Sequence, residues 1–275
     1  MGKGRTQLFR TRLMASALVI ASAAALAGCG AHGQMTTGSI SRQSGKALDK
    51  MSSAELSQAS AAFGRAYEKN PKDKQAALSH ANALRMTGRN DQALAVMRQI
   101  AITHPNDREV LAAYGKALAG AGEFDAALDA VRRAQRPDLP DWRLLSAEGA
   151  ILDQMGQADN ARELYRKALD LQPNEPSVLS NLGMSYLLAD DLKTAETYMR
   201  SAAQSPGADS RVRQNLALVV GLQGRFDEAE EIARQELSAE QAEANVSYLK
   251  SMLAQQNSWS KLKEKDEAAQ GGSAG

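Results

Sequence analysis

Cysteine is almost absent from this chain, at one residue in 275. A lone thiol can close no internal disulfide and build no multi-thiol metal site, so a disulfide scaffold and a zinc ribbon are excluded. Histidine is nearly as scarce, and its three copies are scattered: His32 in a Gly/Ser/Gln-rich stretch, His80 on the core side of a helical pattern, His104 just before Pro105. They share no face and have no carboxylate at ligand spacing, so no metal site is expected. No nucleophile stands beside a base, and no catalytic residue is expected. No strand is predicted, so Gly120-Ala121-Gly122 reads as a turn and not as half of a phosphate loop. Carboxylate pairs such as Asp190–Asp191 and Glu230–Glu231 fall on turns or solvent faces, where such runs are ordinarily just hydrated. With no site for chemistry, neither an enzyme nor a cofactor or small-molecule substrate is expected.

What the chain does have is a period of 34 residues, clearest in Trp142–Glu175. Leu145, Gly149 and Leu152 lie three to four apart on one helix, Gly156 breaks it, and Ala161, Tyr165 and Ala168 line a second helix that Pro173 ends. Two such helices cannot bury both apolar stripes alone, so neighbours of the same design are needed. They stand in register. Ala59, Ala93, Ala127, Ala161, Ala195 and Ala229 occupy one position; Ala81, Gly115, Gly149, Gly183 and Ala217 another; Gly88, Gly122, Gly156, Asp190 and Gly224 the turn. The closing position runs Pro71, Pro105, Leu139, Pro173, Gly207, Gln241 and so degrades toward the C-terminus. Small residues permit close helix approach, Gly the positive φ of a helix end, and Pro stops a helix. This 34-residue pattern, over roughly residues 55–243, resembles the tetratricopeptide repeat (TPR) family. The resemblance implies an all-α, superhelical solenoid of helix-turn-helix units.

Before the repeats, Met1–Gly28 carries Lys3, Arg5, Arg10 and Arg12 without an acid, then an apolar run from Leu13 to Ala27. That is the layout of a secretory signal, too short and too rich in small residues for a comfortable transmembrane span. It ends in Leu26-Ala27-Gly28-Cys29, which resembles the lipobox of bacterial lipoproteins, and the chain's only cysteine sits there. The resemblance implies signal removal and lipidation at Cys29; the alternative is an ordinary cleaved signal with an incidental cysteine. Two or more acyl chains suffice for stable anchoring. Gly30 in place of an Asp after the cysteine implies, by the same resemblance, sorting to the outer membrane. Losing residues 1–28 leaves 29 bases against 32 acids, a net charge near −3, so nothing favours nucleic acid. Residues 29–50 then read as the acylated cysteine and a flexible tether, its Gly/Ser/Thr/Gln-rich part reaching on the order of 20 Å.

Residues 51–243 are expected to fold as an N-terminal half repeat and about five full units, Lys74–Asp107, Arg108–Asp141, Trp142–Glu175, Pro176–Asp209 and Ser210–Glu243. Ser52 and Glu55 form a capping-box pattern at the start of the half repeat. Whether 46–51 adds a helical turn stays open, and the long Pro137–Pro140 junction is a candidate hinge. Ser238 and Gln241 repeat the capping pattern, and Val246, Leu249 and Leu253 follow at helical spacing. A capping helix is therefore expected over 244–256, followed by a disordered tail over 257–275.

By the TPR resemblance, first helices line a concave groove through unit positions 2, 5, 9, 12 and 13. In the early units these are Asn82, Arg85, Glu109, Lys116, Arg143 and Asp153, a mixed polar wall; in the last two they are Met184, Leu187, Leu188, Leu218 and Leu222. The apolar set fits an amphipathic or apolar segment of a protein partner; the alternative is that the capping helix, or packing between units, already covers it. The carboxylate clamp of some TPR domains is not carried over, because Gln75 and Leu78 stand where bases would be needed.

A narrower resemblance lies near the C-terminus. Gly207-Ala208-Asp209-Ser210-Arg211-Val212-Arg213-Gln214-Asn215-Leu216-Ala217-Leu218-Val219-Val220-Gly221-Leu222-Gln223-Gly224-Arg225-Phe226, with Glu243-Ala244-Asn245-Val246-Ser247-Tyr248-Leu249, is similar to the end of the TadD-type lipoproteins of tight-adherence (Flp, type IVc) pilus systems. This implies a lipid-anchored protein on the periplasmic face of the outer membrane that helps assemble or localise the pilus secretin. Another TPR lipoprotein, pilotin-like for type IV pili or an outer-membrane protein assembly factor, would use the same features. An envelope enzyme or its regulator is the third possibility.

Overall fold

The computed structural model describes Leu48 and residues 51–271, without the side chains of Ser53 and residues 256–271. The expected signal, Cys29 and, apart from Leu48, the tether lie outside the described residues. Those described form twelve α-helices and no strand: α1 (Ser53–Lys69), α2 (Lys74–Met86), α3 (Asn90–Thr103), α4 (Arg108–Gly120), α5 (Phe124–Ala134), α6 (Trp142–Gln154), α7 (Ala158–Leu171), α8 (Pro176–Leu188), α9 (Leu192–Gln204), α10 (Ser210–Leu222), α11 (Phe226–Arg234) and α12 (Ala239–Gly271). Even-numbered helices from α2 to α10 are the first helices of the five units, and each is followed by its hairpin partner.

The first turns of these five helices are held alike. Asp73, Asp107, Asp141, Glu175 and Asp209, one every 34 residues, are their N-caps, and each carboxylate accepts from a first-turn amide. Asp73 Oδ1 takes the Ala76 amide at 2.8 Å and Asp209 Oδ1 that of Val212 at 3.0 Å. An acidic cap satisfies an amide that has no partner within the helix and meets the positive end of the helix dipole. At the other end the chain turns through φ +74° at Gly88, +83° at Gly122, +76° at Gly156 and +82° at Gly224. The next amide then reaches back five residues, as from Arg89 to the Leu84 carbonyl at 2.9 Å. Asp190 holds the same place with φ 64°, a conformation that costs a side-chain-bearing residue more than glycine.

The small residues set the helix separation. Ala93, Ala127, Ala161, Ala195 and Ala229 are buried, while Ala59 in the half repeat is half-buried. At Gly149 a methyl group would stand 2.8 Å from Cε1 of Tyr165 and 3.1 Å from the Ala161 carbonyl oxygen, and at Gly183 it would stand 3.1 Å from that of Ala195. Glycine is therefore required there by the packing.

The chain divides into two compact units, 1–173 and 174–275. In the first, α1–α7 pack in succession around Leu84, Met97, Ile100, Val110, Leu118, Val131 and Ile151. In the second, α8–α12 enclose Met199, Leu216, Val219, Val220, Ala229 and Val246. Tyr186 and Phe226 are only half-buried. Tyr186 stacks on Tyr198 at 5.5 Å, and Lys250 covers the ring of Phe226 at 5.1 Å.

Three expectations change. The Pro137–Pro140 junction is stapled: Gln135 accepts the Asp141 amide at 2.9 Å and donates to the Asp141 carbonyl at 3.2 Å, while Arg136 pairs with Asp138. The terminal helix starts at Ala239 and not at 244, because Ser238 and Gln241 cap each other's backbone amides reciprocally. It also runs on to Gly271 through the segment expected to be a disordered tail from 257. Lys, Glu, Ala and Gln dominate that stretch, and they are strong helix formers whatever their hydrophobicity.

Candidate protein-interaction surface

In the first unit the polar wall is tied together by the repeat geometry. Lys74 reaches from one repeat to the next, 2.9 Å from Asp107 and 3.1 Å from Glu109, and Gln75 donates to Glu109 at 3.5 Å. Burial alone would raise the Asp107 carboxyl, but Lys74 and the amides of Val110 and Glu109 outweigh it and hold the group below the ordinary carboxylate range. Asn82 is exposed and accepts from Arg85 at 3.0 Å. Lys116 is half-buried on α4. Arg143 lies over the Trp142 ring at 4.4 Å and 3.8 Å from Asp141. Asp153 accepts from the hydroxyl of the fully buried Tyr165 at 2.9 Å. Asn82 and Arg85 are thus tied to each other on α2, and Arg143 to Trp142 and Asp141.

The apolar set in the second unit separates into core and surface. Met184 and Leu187 are buried and belong to the core around α10 and α11, which corrects their expected place in an open groove. Long apolar side chains at these positions gain more by filling the space between stacked helices than by facing water. Leu218 and Leu222 are half-buried against the same core, and Leu188 is 44% exposed. An open apolar face is therefore reduced to Leu188 with the outer parts of Leu218 and Leu222.

The second unit also holds a feature that no sequence motif marks. Glu196 pairs with Arg200 at 2.7 Å and with Arg225, and Glu228 pairs with Arg225 at 3.0 Å and with Arg200. Gln223 donates to Glu196 at 2.8 Å. The hydrogen bond from Arg225, against the opposing effect of burial and with help from Gln223 and Arg200, lowers the Glu196 carboxyl to about 2. The network fastens α9 to the start of α11. The 34-residue ladder of acidic caps also escapes motif reading, although its period is present in the sequence.

Among the described residues no group of three or more His, Cys, Asp or Glu could hold a metal ion, and no helix is long and apolar enough to cross a membrane. The perturbed carboxyls Asp107, Asp209 and Glu196 each face a lysine or an arginine, which is the pattern of structural ion pairs. Stacked helical hairpins with a varied polar face and a small apolar one define a repeat scaffold.

Family models described as tetratricopeptide repeat match residues 51–117, residues 146–209, and residues 109–133 with 211–235, together more than half of the chain. The chain belongs to the tetratricopeptide-repeat family, a class that binds protein partners. Among solved structures it is similar to a tetratricopeptide repeat protein from Parabacteroides merdae, with TM-score 0.62, 12% identity, and 76% of this chain and 80% of that one covered. A thermophilic TPR protein of Thermus thermophilus matches with TM-score 0.53 and 22% identity over 61% of this chain and 91% of that one. The APC/C hetero-tetramer Cut9-Hcn1 matches with TM-score 0.54 and 19% identity over 70% of this chain, which spans only 38% of the matched one. At these identities the likeness is one of fold. No curated protein matches the sequence.

Proposed function

We propose that this chain is a non-enzymatic lipoprotein, anchored through Cys29 at the periplasmic face of the outer membrane, that scaffolds the assembly or localisation of tight-adherence (Flp) pilus secretion machinery, with the secretin as its client. The observation that carries the reading is the lone cysteine of 275 residues standing at the end of Leu26-Ala27-Gly28-Cys29, directly after a basic and then apolar segment. The similarity of Gly207–Phe226 to TadD-type lipoproteins supports the choice of system, and the repeat scaffold supports a protein client. The test is a mild-detergent pull-down of the acylated full-length protein from its native envelope, with bound proteins identified by mass spectrometry. Recovery of a secretin or other pilus components is the expected result. Recovery of outer-membrane assembly or cell-wall proteins without any pilus component would overturn the pilus reading and leave another TPR lipoprotein role.

A further inference from the structure

The first helix is held on the repeats mainly through one face, against α2. At that contact stands His80, half-buried, its ring stacked on Tyr67 of α1 at 5.7 Å between centroids and 26° between planes. Gly64 of α1 makes the approach possible, since a methyl group there would sit 3.1 Å from the imidazole Cε1. Two polar atoms of this interface are buried without a hydrogen-bond partner: Nδ1 of His80 and Oγ of Ser60 on α1. Serine 60 itself is 3% exposed. An orphaned Nδ1 can stay neutral as an acceptor at modest cost, but a protonated imidazole adds a charge to this buried contact that the Ser60 backbone compensates only in part.

We infer that α1 is a pH-gated element, docked on α2 while His80 is neutral and released when its imidazole takes up a second proton. The charged groups around the ring divide. Arg89, on the turn after α2, opposes protonation, and Glu68 of α1 favours it; Tyr67 presents a neutral ring face. Burial, the largest influence, and then Arg89 outweigh the backbone contact with Ser60 and the pull of Glu68, so the group titrates below its ordinary value of 6.5 in the docked state. In the released state it returns toward that ordinary value. The docked form therefore keeps its full stability above about pH 6.5 and loses it as the pH falls further. One extra proton bound on release corresponds to about a tenfold rise in the open population per pH unit over that range. Release adds the length of α1 to the chain that precedes the repeats. A local opening of this kind leaves the remaining units folded.

Hydrogen exchange of the full chain at pH 7.5 and 5.5, corrected for intrinsic rates, tests this, with peptides from α4–α6 as the reference. Protection of residues 53–69 should fall, by up to about tenfold, at the lower pH while the reference is unchanged, and His80→Gln should abolish the pH dependence. Equal protection of α1 at both pH values, or a pH response that survives in His80→Gln, would overturn the inference. Should that variant fold poorly, an NMR titration of His80 in the unaltered protein decides the matter. Protonation with the α1 signals unmoved refutes gating, and coincident loss of the α1 signals supports it.

Discussion

Gly149 and Gly120 both belong to first helices, yet a methyl group should act in opposite directions at the two. Alanine is the better helix former by about 1 kcal/mol. At Gly149 the added carbon meets the ring of Tyr165, 2.8 Å away, and a backbone carbonyl. That ring is fully buried and tied to Asp153, so it cannot swing aside, and overpacking of this sort costs about 1–3 kcal/mol. At Gly120 the nearest atoms, at 3.2 and 3.3 Å, belong to the amide end of the Asn90 side chain, which can rotate away. Gly149→Ala should therefore destabilise by up to roughly 2 kcal/mol net, and Gly120→Ala should be neutral or stabilise by up to about 1 kcal/mol. Denaturant melts of the two variants against the parent check the pair. Equal effects would mean that helix propensity, and not helix separation, sets the choice of glycine.

Between elements, the Glu196 network makes a similar forecast for acid. Its carboxyl titrates at about 2 in the fold against an ordinary 4.5. A group lowered on folding stabilises the native state above its unfolded pKa and loses that contribution as the pH falls toward the folded one. The nominal shift is worth roughly 3 kcal/mol, and screening around the two half-exposed arginines brings the expectation to about 1–2 kcal/mol. Glu196→Gln should be less stable than the parent by that amount at pH 7, with the gap closing between pH 4.5 and 2, as read by urea melts across that range. A gap that does not narrow would show the variant acting through packing. The visibility of such features in the sequence follows their cause. Helix spacing forces alanine and glycine at Ala161 and Gly149, and the turn forces Gly156, so the repeat and its boundaries were legible. The acidic caps recur just as regularly, but Asp and Glu are ordinary on solvent faces and their role shows only in the hydrogen bonds. Glu196 meets Arg225 across 29 residues, a distance no local pattern encodes. Met184 and Leu187 could not be placed because an apolar residue at those positions suits a groove and a core equally well.

For the molecule as a whole, the proposed function separates into attachment and capture, and single substitutions can divide them. Cys29→Ser removes the only thiol that could carry acyl chains. Under the proposal it should move the protein from the membrane to the soluble envelope fraction with its helical circular dichroism unchanged. Leu188→Arg places a charge on the most exposed member of the apolar set and should leave both the fold and the membrane fraction intact while pilus components are lost from the pull-down. Met184→Arg serves as the contrasting variant, because that side chain is buried and an unpaired charge there should unfold the second unit. If Leu188→Arg still recovers its partner in full, the apolar face is not where capture occurs. The polar wall of the first unit, at Asn82, Arg85, Lys116 and Arg143, then becomes the surface to map. If Cys29→Ser stays with the membrane, the anchor is elsewhere, and the lipoprotein reading fails even where partner capture survives.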